Sequence, residues 1–186
     1  MQCNAACATP LIVWTIGHST RSWDEFLQLL SAQGISAIAD VRRFPASRRY
    51  PWFASQQMAD ALPAHVVAYQ WIPELGGRRK VQPGSPNGAW RNSAFQGYAD
   101  HMASAEFASG LNKVLAAAGQ RRTALLCAEA VWWRCHRRLI SDLLTYQGHE
   151  VLHIVSHAEP TPHPLNPTAR AAGQGLIYPP AQSELF

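Results

Sequence analysis

The sequence predicts a single compact α/β domain: a mostly parallel sheet of about five strands, helices on both faces, and an irregular C-terminal tail. Three observations predict it. Short apolar runs alternate with stretches whose apolar residues recur at helical spacing, and that alternation implies right-handed crossovers between parallel strands. The length, 186 residues, suits one domain. With 47% hydrophobic and 15% charged residues, the composition fits a packed interior rather than disorder.

The elements follow in order. Residues 1–10 read as a disordered leader carrying Cys3 and Cys7. "LIVWTIGHST" is a buried strand that breaks into a loop at Gly17-His18-Ser19. Ser22 and Glu25 have the spacing of a capping box, which opens a helix near 23–33 with Trp23, Phe26, Leu27 and Leu30 on one face and Gly34 as its stop. "ISAIADVRRFP" is a second strand, ending at Asp40-Val41-Arg42. "SQQMADAL" is a short helix, and "VVAYQWIPELGG" a third strand stopped by Pro73 and Gly76-Gly77. An irregular stretch is expected from Arg78 to about Gln96. Residues 98–118 carry one helical pattern, with Phe107, Leu111, Val114 and Leu115 inward. "TALLCAE" is the fourth strand, Cys135–Gln147 a helix ended by Gly148, and "EVLHIV" the fifth strand. The α/β domain therefore spans 11–155. Residues 156–186 form a Pro-rich tail expected to pack on the surface without regular structure.

No apolar run approaches the length of a membrane span, and Met1–Pro10 lacks a basic start followed by an apolar stretch. A membrane partner is not expected, and the cytoplasm is the expected location. The net charge is +4, from fourteen Arg and only two Lys among the basic residues. Arg suits bidentate contacts to phosphate or carboxylate, so an anionic partner is expected, a nucleotide or nucleic acid among the candidates.

In a parallel sheet, ligands sit beyond the carboxyl ends of the strands. Strand one ends in His18 and Ser19, strand two in Asp40 and Arg42, strand four in Cys127 and Glu129. The next helix begins near Cys135, His136 and Arg137, where free N–H groups favour anions and thiolates. Convergence of these groups on one edge predicts an active site. Cys127 and Cys135 are candidate nucleophiles. Glu129, Asp40, His18 and His136 are candidate acids, bases or orienting groups. Ser19, Arg42, Arg48, Arg134 and Arg137 are candidate anion contacts, and of Trp132 and Trp133 one is expected in the core and the other, assigned to Trp133, at the site.

A metal is not expected. The spacing Cys-x7-Cys-His fits no standard zinc pattern, and neighbours at a helix start diverge by about 100°. No cofactor is expected either. The function expected is thus an enzyme on an anionic, nucleotide or nucleic-acid substrate, using acid–base or cysteine chemistry, with hydrolase or transferase activity favoured. The alternatives are a non-enzymatic nucleic-acid or ligand-binding module, for which the Arg pairs at 42–43, 48–49, 78–79, 121–122 and 137–138 speak, and a Cys/His metal site.

Six stretches, "TIGHSTRSWDEFLQLL", "IADVRRFPASRR", "IPELGGRR", "WRNSAFQGYADHM", "LLCAEAVWWRCHRRLI" and "HPLNPTAR", together resemble the domain of unknown function 488 family, from about Trp14 to Arg170. The resemblance implies a compact α/β domain and supplies no reaction. Its hallmark blocks fall on His18, Ser19, Asp40, Arg42, Cys127, Glu129, Cys135, His136 and Arg137. "IADVRRFP" and the strand ending in Cys127 also resemble, more weakly, rhodanese-type domains. The bulky Trp132-Trp133 loop departs from the tight backbone cradle of those proteins, which limits that likeness to the fold.

Overall fold

The structure, a computed structural model, describes residues 9–181. Cys3, Cys7 and most of the expected leader lie outside the described residues. Five parallel strands, β1 (Ile12–Gly17), β2 (Ala37–Asp40), β3 (Ala68–Trp71), β4 (Thr123–Cys127) and β5 (Glu150–Ile154), lie in the spatial order β3-β2-β4-β1-β5. A two-residue strand, β6 (Thr161–Pro162), adds antiparallel to β5. The fold is α/β, as the alternation of apolar runs and helical patterns requires.

Alternate strand residues feed two cores, one on each face of the sheet. On one face Trp14, Ile16, Ile38 and Leu126 meet Phe26, Leu29 and Leu30 of α1 (Trp23–Ala32) and Met58 of α2 (Ser55–Ala61). On the other, Val13, Ala39 and Leu125 meet Tyr98 of α3 (Ser93–His101), Phe107 and Leu111 of α4 (Ala105–Ala118), and Leu139 and Leu143 of α5 (Arg137–Tyr146). The chain after β1 thus goes to one face and the chain after β4 to the other, although β1 and β4 are neighbours. That divergence opens a crevice beyond their carboxyl ends.

α1 begins where the capping spacing places it: the Ser22 hydroxyl accepts from the Glu25 amide at 3.1 Å. Four other expectations change. The third strand is a short edge strand with most of its residues exposed, and Val66 before it stands 78% exposed at φ 61°. The single helical pattern over 98–118 is two helices, because Ser104 caps a new start by accepting from the Phe107 amide. The irregular stretch ends sooner than expected, at Asn92, whose side chain caps α3 by accepting from Ala94 at 2.8 Å. Finally, α5 starts at Arg137 rather than Cys135. One 3-10 turn covers Trp132–Arg134, and Cys135 is extended, with φ −124° and ψ 150°.

The tail is mostly irregular, yet it is not loosely laid on. Besides β6 it holds a hairpin of β7 (Arg170–Ala172) and β8 (Gly175–Ile177), and it buries His163, Asn166, Leu176 and Tyr178. No helix among the described residues is long and apolar enough to cross a membrane.

Candidate functional site

The β1–β4 register sets Gly17 opposite Cys127. Gly17 is required there: a Cβ would stand 1.7 Å from the Glu129 carbonyl oxygen, so only glycine lets the loop after β4 cross the end of β1. Beyond these strand ends lies an open cleft of about 280 Å³. Its base is made by Cys127, Cys135 and His136, the two thiols being 7% and 3% exposed. The loop after β4 contributes Glu129 and Arg134, the segments after β2 and β3 contribute Arg43 and Arg78, and Phe44 and Phe95 line the cleft as its aromatic surfaces.

The thiols and the imidazole form one cluster. His136 Nδ1 lies 3.9 Å from Cys127 Sγ and 3.6 Å from Cys135 Sγ. Its Nε2 is 2.9 Å from the Val41 carbonyl. A carbonyl only accepts, so Nε2 donates to it, and Nδ1 is the ring nitrogen turned to the sulfurs. Tyr98 packs against the ring at 4.9 Å between centroids. Gly77 packs on it from the cleft side, where a Cβ would stand 2.9 Å from Nδ1.

Cys135 is the sulfur best supplied with donors. The backbone amide and Nε of Arg137 both point at it, at 3.5 and 3.4 Å. Burial pushes its thiol up, but the hydrogen bond from Cys127 and the charges of His136 and Arg137 outweigh burial and hold it well below the usual thiol range. Cys127 moves the opposite way, pushed up by its bond to the Cys135 sulfur and by burial.

Arg137 is 1% exposed and is held from below. Its Nη2 donates to the Glu129 carbonyl at 2.5 Å and its Nη1 to the Thr15 hydroxyl at 3.3 Å. Thr15 then donates to His153 Nδ1 at 2.8 Å, His153 Nε2 to His163 Nδ1 at 2.9 Å, and His163 Nε2 to Asp142 at 2.9 Å. Each ring has one donor and one acceptor, so the directions follow from the two ends. Burial, then the neighbouring His163 and Arg137, lower His153 to about 3, which keeps it neutral and able to accept from Thr15. Asp142 also accepts from the Asn166 amide and the Tyr178 hydroxyl, both at 2.9 Å.

The expected residues divide. Cys127, Glu129, Cys135, His136 and Arg134 come together in the cleft, as the strand-end rule requires. Arg137 stands beneath them as a buried support, not a contact for an anion. Arg42 borders the cleft, but its guanidinium is consumed: Nε bonds Asp40 at 2.8 Å, Nη1 bonds the Phe53 carbonyl at 2.8 Å, and Nη2 also bonds Asp40. Asp40 accepts further from Tyr69 at 2.6 Å. The pair is a buried structural bridge, so the expected roles of Arg42 in anion binding and of Asp40 in acid–base chemistry are corrected. His18 does not line the cleft. It stacks on Phe53 at 4.4 Å, and burial, then the charge of Arg42, lower it to about 4. Ser19 and exposed Arg48 do not line it either. Trp132 stacks on His153 at 4.2 Å, and Trp133 is 46% exposed outside the cleft lining, so the expected stacking role of Trp133 is not met.

Sequence reasoning placed Arg43 and Arg78 only among the Arg pairs of the binding-module alternative, and it passed over Phe44 and Phe95. A signal existed for Arg78, which follows Gly76-Gly77 in a loop at a strand end and adopts φ 59°, a strained conformation for a side-chain-bearing residue. One of the two arguments against a metal, the divergence of Cys135 and His136, also falls. The 100° divergence of neighbours holds inside a helix, but Cys135 is extended, and the ligand atoms of Cys127, Cys135 and His136 all lie within 4.8 Å of one another.

A family model described as Domain of unknown function DUF488 matches residues 22–144, which include β2, β4, the loop after it and most of α5. No curated protein and no solved structure matches the chain.

Proposed function

Because the chain belongs to the DUF488 family, whose description names no reaction, we propose from the cleft itself that it is an enzyme acting on an anionic substrate of the nucleotide or nucleic-acid class, by hydrolysis or group transfer. One observation carries this reading. Two thiols and an imidazole lie under a rim of Arg43, Arg78 and Arg134, none of which has an ion-pair partner among the described residues. Glu129 is the one acid of the lining, so the rim is positive and focuses on anions.

The roles follow from position. The three guanidinium groups hold phosphate, and Phe44 or Phe95 offers a face to a base. The cluster supplies or holds the nucleophile. Glu129, exposed in the cleft, moves the proton.

The test pairs binding with turnover. Affinity for inorganic phosphate, mononucleotides and short oligonucleotides is measured by calorimetry as salt rises, and the same ligands are offered as substrates. Salt-sensitive binding that weakens in Arg134→Ala and Arg78→Ala is the expected result. Binding that ignores both salt and these substitutions removes the anionic substrate. Binding without turnover of any phosphate-bearing ligand favours a non-enzymatic binding module.

A further inference from the structure

We infer that Cys127, Cys135 and His136 hold one thiophilic divalent cation of the zinc class, through two thiolates and the imidazole Nδ1, with the fourth position open to the cleft. The inference deepens the reading above, resting on it only for what enters the fourth position.

Geometry carries it. Around a tetrahedral zinc, with bonds of about 2.3 Å to sulfur and 2.0–2.1 Å to nitrogen, neighbouring ligand atoms stand about 3.5–3.8 Å apart. His136 Nδ1 stands 3.6 and 3.9 Å from the two sulfurs. A hydrogen-bonded Cys–His pair needs one such distance, whereas a metal needs all three atoms on one centre, and all three are within 4.8 Å.

The surroundings are those of a ligand set. A metal-binding imidazole commonly donates its other N–H to a carbonyl or carboxylate, which fixes the ring. Here Nε2–H donates to the Val41 carbonyl at 2.9 Å, while Tyr98 and Gly77 wall the ring in. The Cys135 sulfur receives two N–H groups from Arg137. Such bonds stabilise a bound thiolate and do little for a neutral thiol. Two thiolates balance a divalent ion, and soft donors select zinc-class metals over magnesium or calcium.

Binding forms two metal–sulfur bonds and one metal–nitrogen bond and releases the thiol protons to solvent. No electrons move. Three protein ligands and one open position are the arrangement of a catalytic rather than a structural site. A water held there would be acidified by the ion, and Glu129 is the cleft carboxylate available to take its proton.

The test uses the full chain, reduced, with Cys3→Ser and Cys7→Ser so that the leader thiols contribute nothing. Titration with Co²⁺ is expected to give an intense sulfur-to-cobalt charge-transfer band and the visible bands of a tetrahedral site, saturating at about one equivalent and bleached by Zn²⁺. Cys127→Ser, Cys135→Ser and His136→Gln should each weaken cobalt binding by more than about 100-fold, beyond the 10–100-fold typical of an outer-shell loss. If a variant does not fold, the unsubstituted cluster still decides: Zn²⁺ should protect Cys127 and Cys135 from alkylation, as located by peptide mass. A reduced, folded chain with no cobalt bands and no zinc protection overturns the inference, and so do bands that persist in Cys135→Ser. Cobalt bands that stay intact while phosphate binding is absent support the metal and count only against the substrate reading.

Discussion

The Nε2–H of His136 donates to the Val41 carbonyl at 2.9 Å, and this bond decides which ring nitrogen meets the two thiols. Val41 lies just past the end of β2, the neighbour of β4, whose following loop carries the ring itself. The sheet therefore sets the orientation of the imidazole, and the site depends on three strand ends staying in register.

That dependence makes Gly77→Ala informative. The added Cβ would meet the His136 ring at 2.9 Å from Nδ1, and the ring is backed by Tyr98 and tied to Val41. Overpacking of this kind costs about 1–3 kcal/mol. Cobalt affinity should fall with stability, and both are read on the same sample, by titration and by urea unfolding.

Arg42→Ala should unfold the protein rather than merely weaken a ligand. It leaves Asp40, fully buried, with its guanidinium partner gone. Breaking a buried pair costs about 3–5 kcal/mol. Urea denaturation should show a loss of that size, and Asp40→Asn should show a loss of similar sign. Unchanged stability with lower phosphate affinity would restore Arg42 to the binding surface.

Removing a rim guanidinium should act on binding alone. Arg134 and Arg78 are exposed and have no ion-pair partner among the described residues, so their substitution to Ala should leave stability within about 0.5 kcal/mol. For an oligonucleotide ligand the salt slope should drop by about one for each Arg removed. An unaltered slope places the phosphate elsewhere.

Glu129→Gln separates catalysis from binding. The carboxylate is the only acid of a basic cleft, so its neutralisation should leave anion affinity equal or tighter. Turnover should fall by about 100-fold or more, the usual worth of a positioned acid or base. Weaker binding in this variant assigns Glu129 to ligand contact instead.

Acid should loosen the fold before it protonates most carboxylates. The fold lowers His153 from 6.5 to about 3, by burial first and then by His163 and Arg137. The neutral ring is the one the folded state prefers, so its contribution is complete above about pH 6.5 and is lost as the pH falls toward 3, at up to about 1.4 kcal/mol per pH unit. His18, lowered to about 4, acts with the same sign. The urea midpoint should drop between about pH 7 and about pH 5, and His153→Gln should flatten that drop. A midpoint equal at both values contradicts the assignment.

Much of the site was legible because strand ends in a parallel sheet leave little choice. Once "TALLCAE" is a strand, Cys127 and Glu129 must lie at the edge where Gly17 ends its neighbour. Arg42 was misread although the clue was present: residues i and i+2 of a strand share a face, so Asp40 and Arg42 are placed to neutralise each other. Cys135 was taken for the first helical residue, and an error of two residues in a helix start changed a diverging pair into a converging one. Asp142 and His163 had no local pattern to betray them. They meet across 21 positions because the tail folds back beneath α5 and β5.

The hydrogen bonds from Arg137 through Thr15, His153 and His163 to Asp142 all run in one sense. A cut at residue 155, where the last parallel strand has just ended, looks like a clean boundary for a minimal fragment. It would remove His163, Asn166 and Tyr178 together, stripping Asp142 of every donor it has on the tail. His153 would lose the acceptor that fixes its tautomer, and Thr15 would be free to turn. The shortest chain that keeps the thiols in their setting therefore runs at least to Tyr178, more than twenty residues past the apparent end of the sheet, and a fragment trimmed to the sheet should be assayed as an altered site rather than as a smaller version of the same one.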